Sequence, residues 1–98
     1  MDINYSKAVI KDVQKVKDQK LISKIDSVVK AVKEAETIDG VSGVKKMKGH
    51  SSAYRIRIGD YRLGFYLVNN TVLLARFVKR NDIYKLFLFT NLASKTVL

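Results

Sequence analysis

Two short turn sequences, Gly59-Asp60 and Asn69-Asn70, restrict the fold of this chain more than any other feature. Each lies between runs rich in Ile, Leu, Val, Tyr and Phe, which is the signature of a two-residue β-hairpin loop. We therefore predict three consecutive antiparallel strands at residues 53–58, 61–68 and 71–78.

The alternation of side chains along these strands separates the arginines from the apolar residues. A two-residue first loop pairs Ile58 with Tyr61 and Arg57 with Arg62, which puts Arg55 on the same face as the other two arginines. Arginines directly opposite each other weaken a sheet by up to roughly 1 kcal/mol, so folding alone does not favour this arrangement. We interpret the face as a surface for a polyanion, with an ordinary solvated sheet face as the alternative.

Composition limits the other possibilities. A chain of 98 residues with 47% hydrophobic residues is expected to form one domain. With no cysteine and a single histidine, His50, neither a disulfide, a metal site nor a metal cofactor is expected. We find no uninterrupted apolar run of the ~18 residues that span a bilayer and no signal-peptide pattern at the start, so we expect a cytoplasmic protein without a membrane partner.

The positive charge is concentrated in one part of the chain. The net charge is +10, yet residues 1–40 hold eight lysines against seven acidic residues. The remaining residues hold eleven Lys or Arg and only Asp60 and Asp82 as acids. Because this charge lies on predicted strands and not on an amphipathic helix, we expect a nucleic acid as the partner, in preference to an anionic membrane.

The first 40 residues are expected to supply one strand and two helices. Residues 2–5 form a weak strand pattern, Ser6 is a candidate helix N-cap, and apolar spacing predicts a helix from residue 7 to about 17. A second apolar stripe at helical period runs from Leu21 to Ala35. We predict an α+β fold of order β-α-α-β-β-β, in which this helical hairpin packs on one face of a small, mainly antiparallel sheet.

Residues 37–44 are interpreted as a loop, and three lysines follow at Lys45, Lys46 and Lys48. We expect these lysines to form a rim that binds phosphates, beside the alternative of a solvated basic loop. After the third hairpin strand come Lys79 and Arg80. We assign residues 1–87 to a single domain and residues 88–98 to a C-terminal tail that is either disordered or bound by a partner.

The order of these elements and motifs resembles the RelE/ParE superfamily of bacterial and archaeal toxins. The resemblance covers about residues 2–87. Its specific part is the pattern K-x-M-K-G-x-x-x-x-Y-R-I-R-I-G-D-Y-R-L at residues 45–63, and the closing Arg80-x-x-x-Tyr84 is typical of the RNA-cleaving RelE branch.

The resemblance implies a function and partners. RelE-like toxins of type II toxin–antitoxin systems bind in the ribosomal A site and cleave messenger RNA without a metal. An antitoxin encoded beside the toxin wraps around it and blocks its site, and the complex often binds operator DNA. The expected partners are therefore a cognate antitoxin, messenger RNA, the ribosome and operator DNA, and the expected activity is that of an endoribonuclease.

The resemblance also implies roles for individual residues. The catalytic residues are expected at Arg55, Arg57, Arg62, Arg80 and Tyr84. RNA contacts are expected from Lys45, Lys46, Lys48 and Lys79, with Lys79 as an alternative to Arg80. Relatives in the best-known branch carry lysines at the positions of the first two arginines. Because arginine stays protonated, it is a poor general base.

The base is therefore left open among Lys46, Lys48, Tyr84 and His50, or the reaction relies on positioning and charge alone. Two other functions also remain open at this stage. One is a ParE-like toxin that poisons DNA gyrase, which shares the fold but does not need the Arg80–Tyr84 ending. The other is a catalytically inactive relative that binds RNA.

Overall fold

Two tight turns build the centre of the sheet. A computed structural model describes residues 1–87, in which Asn69 and Asn70 have φ of 50° and 63° and Gly59 has φ of 59°. These left-handed backbone conformations are those that two-residue hairpin loops require. The register across the first turn pairs Ile58 with Tyr61 and Arg57 with Arg62, which confirms the predicted pairing.

The strands and helices follow the predicted order, with one additional strand. The elements are β1 Asp2–Tyr5, α1 Lys7–Gln14, α2 Gln19–Glu34, a 3-10 turn Ile38–Gly40, β2 Val44–Lys46, β3 Ala53–Ile58, β4 Tyr61–Val68 and β5 Thr71–Lys79. Residues 83–87 are helical. The sheet has the order β1-β5-β4-β3-β2, with β1 parallel to β5 and the other pairs antiparallel. This confirms the α+β fold, whereas the division into a domain and a tail stays a prediction because the tail, 88–98, lies outside the described residues.

The two helices begin where polar side chains cap them. The Ser6 hydroxyl accepts a hydrogen bond from the Val9 N–H at 2.9 Å, and the Asp18 carboxylate accepts one from the Lys20 N–H at 2.9 Å. The predicted extension of α1 to residue 17 is wrong, because α1 ends at Gln14. There the chain turns, with the Val16 N–H bonded to the Val13 carbonyl at 3.0 Å, so that Asp18 can start α2.

The main core lies between the helices and one face of the sheet. Its fully buried members include Val9 and Val32 from the helices and Ile56, Leu63 and Phe65 from the strands. Burying side chains of this size stabilises the fold by about 1.5–3 kcal/mol each before entropic costs. The predicted packing of the helical hairpin on the apolar face is therefore confirmed.

A second core covers part of the opposite face of the sheet. It consists of Met47, Ala53, Ala75, Val78, Ile83 and Phe87. The helical residues 83–87 lie on this side, so the face that carries the arginines is only partly open. Among residues 1–87, no helix has both the length and the apolar composition needed to cross a membrane.

Helix α1 protects the free edge of β5 beyond the end of β1. The Asp12 carboxylate accepts hydrogen bonds from Arg76 Nε at 2.8 Å, from a terminal nitrogen of the same guanidinium at 3.1 Å and from the Phe77 N–H at 2.9 Å. The Ser6 hydroxyl donates to the Ala75 carbonyl at 2.7 Å. The β5 strand, which ends just before Arg80, is thereby held on both of its edges.

Candidate RNA-binding site

Four arginines from three parts of the chain meet at one end of the sheet; we call Arg55, Arg57, Arg62 and Arg80 the arginine cluster. The β3–β4 register sets Arg57 directly opposite Arg62 and Arg55 opposite Gly64. Arg80 follows β5, and its N–H donates a hydrogen bond to the Asp60 carbonyl at 2.9 Å. The turn at Gly59-Asp60 therefore brings the end of β5 next to the start of β4.

The electrostatics of Arg62 show that the four guanidinium groups lie close enough to act on one another. Its pKa is lowered, first by partial burial and then by the positive charges of Arg55, Arg57 and Arg80. The Asp60 carboxylate acts in the opposite direction and raises the pKa. Within residues 1–87 the arginine cluster forms no ion pair, since the salt bridge found there joins Arg76 to Asp12. Arg62 nevertheless stays protonated at neutral pH, so it is a fixed cation and not a base.

The Arg62 side chain is held in place by the turn that precedes it. One of its terminal nitrogens donates hydrogen bonds to the Gly59 carbonyl at 3.0 Å and to the Tyr61 carbonyl at 2.9 Å. A guanidinium has five N–H donors, so the other nitrogens remain available for a ligand. The geometry suits the bidentate recognition of a phosphate, for which arginine is better adapted than lysine.

Tyr84 lies on the helical residues 83–87, which pack on the sheet face that carries the arginines. Ile83 and Phe87 are 1% and 0% exposed and face the sheet, whereas Tyr84 is 50% exposed. Leu86 lines a cleft of about 360 Å³ with residues of α1 and the β5 edge. Because successive residues of a helix are about 100° apart, Tyr84 is on the side of the helix opposite Leu86.

The structure separates the four predicted RNA-binding lysines. Lys45 pairs with Arg55 across β2 and β3 and shares its face. Lys46 pairs with Tyr54, and Lys79 pairs with Tyr61, so both lie on the helix-facing side and away from the arginine cluster. Lys48 is exposed in the turn between β2 and β3.

The candidates for a general base come from different parts of the chain: Lys46 from β2, Lys48 and His50 from the segment before β3, and Tyr84 from the helical residues 83–87. His50 and Lys48 precede β3, whose first residue, Ala53, is about 7 Å along the strand from Arg55 and about 13 Å from Arg57 at the usual rise per residue. Lys46 is on the other face. Residues 1–87 contain no group of three or more His, Cys, Asp or Glu side chains suited to binding a metal ion.

Three residues near the site were not singled out from the sequence. Gly64 and Phe87 form the contact that holds the helical residues 83–87 on the sheet. Tyr66 lies beside Phe87, with ring centroids 4.8 Å apart. Gly64 was the one signal available in the sequence for this contact. A glycine in the middle of a strand often marks a place where another segment approaches closely.

Comparisons with known proteins identify relatives that are similar to this chain. No protein-family model matches the chain. It is 27% identical over 88 residues to "Toxin RelE3" of Methanocaldococcus jannaschii, covering 89% of this chain and 99% of that protein. Among solved structures, it is similar to a RelB–RelE antitoxin–toxin complex from Methanococcus jannaschii, with a TM-score of 0.72 and 26% identity over 85% of this chain and 96% of that one.

A second solved structure has the same fold at lower identity. It is the archaeal RelE–RelB complex of Pyrococcus horikoshii OT3, with a TM-score of 0.63 and 20% identity over 81% of this chain and 93% of that one. The matches cover nearly the full length of each relative, at 93–99% of its residues. The chain is therefore similar to RelE toxins in fold and over nearly its whole length.

Proposed function

We propose that this protein is the toxin of a type II toxin–antitoxin pair and an endoribonuclease that cleaves messenger RNA on the ribosome. The observation that carries the proposal is the arginine cluster: four cations at one end of the sheet, with no ion pair to a carboxylate within residues 1–87. Such an arrangement costs folding free energy unless a polyanion is bound. For a RelE-like toxin, the expected polyanion is RNA.

The proposed reaction is an internal transesterification of RNA. The ribose 2′-oxygen forms a bond to the adjacent phosphorus while the bond from phosphorus to the 5′-oxygen of the next nucleotide breaks. The 2′-hydroxyl proton passes to a base and the leaving oxygen takes up a proton, which leaves a 2′,3′-cyclic phosphate and a 5′-hydroxyl. Negative charge collects on the phosphorane oxygens in the transition state, where preorganised cations have their largest effect.

We assign a role in this reaction to each residue according to its position. Arg62, tethered to the turn carbonyls, and Arg57, directly opposite it, stabilise the phosphorane charge. Arg55 and Lys45 hold the RNA backbone on the adjoining strands. Tyr84 stacks on a base displaced from its neighbours, and its phenol can exchange a proton.

The partners follow from this assignment. A cognate antitoxin, a small protein whose acidic residues complement the arginine cluster, binds the toxin and blocks RNA, and the complex binds operator DNA. The "RelB-RelE antitoxin-toxin complex" of Methanococcus jannaschii supports an antitoxin as the partner. A small acidic protein encoded in the neighbouring reading frame is the expected observation.

The direct test uses purified protein and ribosomes that carry a defined messenger RNA, with primer extension to locate cuts. Wild type is expected to cut within the coding region. Arg62→Ala should reduce the rate by about 100-fold or more, the usual effect of removing one preorganised donor to an oxyanion. Lys33→Ala, which removes an exposed charge on α2, is the matched control and should cut normally.

The outcomes separate the proposal from its alternatives. Full activity of a well-folded Arg62→Ala variant contradicts the assigned role of the arginine cluster. Salt-sensitive ribosome binding without any cut identifies a catalytically inactive RNA-binding relative. Inhibition of DNA gyrase without RNA cleavage identifies a ParE-like toxin.

A further inference from the structure

A tight packing contact on the arginine-bearing face joins Gly64 to Phe87. A Cβ atom added at Gly64 would lie 2.8 Å and 2.9 Å from two ring carbons of Phe87 and 3.1 Å from the terminal methyl of Ile83. Contacts this short between carbon atoms do not occur without displacement. The helical residues 83–87 therefore reach their position only because residue 64 has no side chain.

Phe87 fits a depression formed by small residues and one aromatic ring. Ala53 and Ala75 are 0% and 5% exposed in the same cluster, and the Tyr66 ring lies at 45° to Phe87. Phe87 itself is fully buried. A side chain of this size, enclosed by close packing, fixes the segment that carries it in both position and rotation.

The same depression is connected to the arginine cluster by the sheet itself. Gly64 pairs with Arg55 on β3 and lies two residues after Arg62 on β4. Phe87 and Tyr84 are three residues apart on one helical segment, which places both within a single turn. A shift of Phe87 away from Gly64 therefore moves Tyr84 relative to the arginines.

We propose that the contact between Gly64 and Phe87 is a positioning device that fixes Tyr84 relative to the strands that carry the arginines. Gly64 is the positioning residue, and it acts without touching RNA. The effect of this contact on the position of Tyr84 does not depend on whether the protein cleaves RNA. The consequence for RNA cleavage rests on the function proposed above.

The first test follows the position of residue 84 without using activity. The chain has no tryptophan, so Tyr84→Trp introduces a unique fluorophore. Adding Gly64→Ala should shift its emission to longer wavelength and strengthen quenching by acrylamide roughly twofold, as expected for release of a local segment. Gly40→Ala is the matched control, because a Cβ there meets no atom of residues 1–87 within 4 Å, and it should leave the emission unchanged.

The second test measures catalysis on ribosomes. Gly64→Ala should lower kcat by about 100-fold, the usual loss for a displacement of about 1 Å, while KM changes little because the arginines that bind the backbone are intact. Phe87→Ala releases the same segment without altering the strand. Because both substitutions break one contact, the double variant should be no worse than Phe87→Ala alone.

Each result decides a separate point. If Gly64→Ala leaves the fold intact and the tryptophan at position 84 keeps its emission and quenching, the positioning role is overturned. Losses that add in the double variant also overturn it, since they place the effect of Gly64 elsewhere. If wild type fails to cut RNA, the proposed function falls, while the fluorescence experiment still decides whether Gly64 and Phe87 position residue 84.

Discussion

The carboxylate of Asp12 offers a quantitative test of how the fold supports the site. It accepts two hydrogen bonds from Arg76 and one from the Phe77 N–H, and its side chain is 9% exposed against 20% for Arg76. The hydrogen bond to Asp12 raises the pKa of Arg76 above its ordinary value, as does the negative charge. Asp12→Ala therefore leaves a partly buried guanidinium and a strand N–H without their acceptor.

The expected loss follows from these contacts. Removing one partner of a buried ion pair typically costs about 3–5 kcal/mol, and the partial exposure of Arg76 favours the lower end. We therefore expect Asp12→Ala to lower the free energy of unfolding by about 3 kcal/mol. For a domain of this size, this corresponds to a fall in Tm of roughly 12 °C or more.

Thermal unfolding followed by far-UV circular dichroism, with urea unfolding for the free energy, measures this loss. Asp26→Ala, which removes an exposed carboxylate from α2, is the control and should change stability by less than about 0.5 kcal/mol. Equal effects of Asp12→Ala and Asp26→Ala would refute the reasoning, because they would mean that water replaces the Asp12 contacts at no cost.

Three further predictions concern Tyr66, on the sheet face that carries the arginines, and Asp60, in the turn between β3 and β4. The Tyr66 hydroxyl is buried and has no hydrogen-bond partner among residues 1–87. Tyr66→Phe should therefore raise the free energy of unfolding, measured in urea, by about 1 kcal/mol. The control Tyr5→Phe, at an exposed site, should leave it unchanged. Burial raises the pKa of Tyr66 to about 12 from its ordinary value of 10.0, so the unfolded chain loses this proton first. Wild type should therefore lose stability relative to Tyr66→Phe between pH 10 and pH 12, and parallel pH profiles would contradict this. Asp60→Asn removes a negative charge that acts on Arg62 and should tighten binding of a short RNA by roughly threefold at low salt, which Asp26→Asn should not do.

The hairpin register was predictable because two independent signals agree on it. The turn residues fix the loop length, and the alternation of Ile58, Tyr61 and Leu63 with arginines fixes the faces. The short strand β2 was missed because only Val44 among its three residues is apolar. It is a strand because it pairs with β3, as Val44 does with Ile56, and not because of its own composition.

The arginine cluster was predictable from alternation, but the lysines beside it were not. A run such as Lys45-Lys46 looks like one basic patch in the sequence, yet a strand sends its two side chains to opposite faces. The role of Phe87 was hidden for a different reason. Phe87 covers part of the sheet face that Arg55 and Arg62 had led us to expect to be open to solvent. The depression that receives Phe87 is formed by three residues that are distant from one another in sequence.

The pairing of β1 with β5 sets the order in which this protein can be completed during translation. Asp2 lies beside Thr71, so the first strand has no neighbour in the sheet until the last strand has left the ribosome. Closing the loop between residues 2 and 71 costs about 4 kcal/mol of chain entropy. No earlier pairing of β1 in the sheet offsets this cost. A nascent chain therefore completes its sheet late, after Arg62 has been exposed for some time on a partly assembled hairpin and only once residues 71–74 have been added.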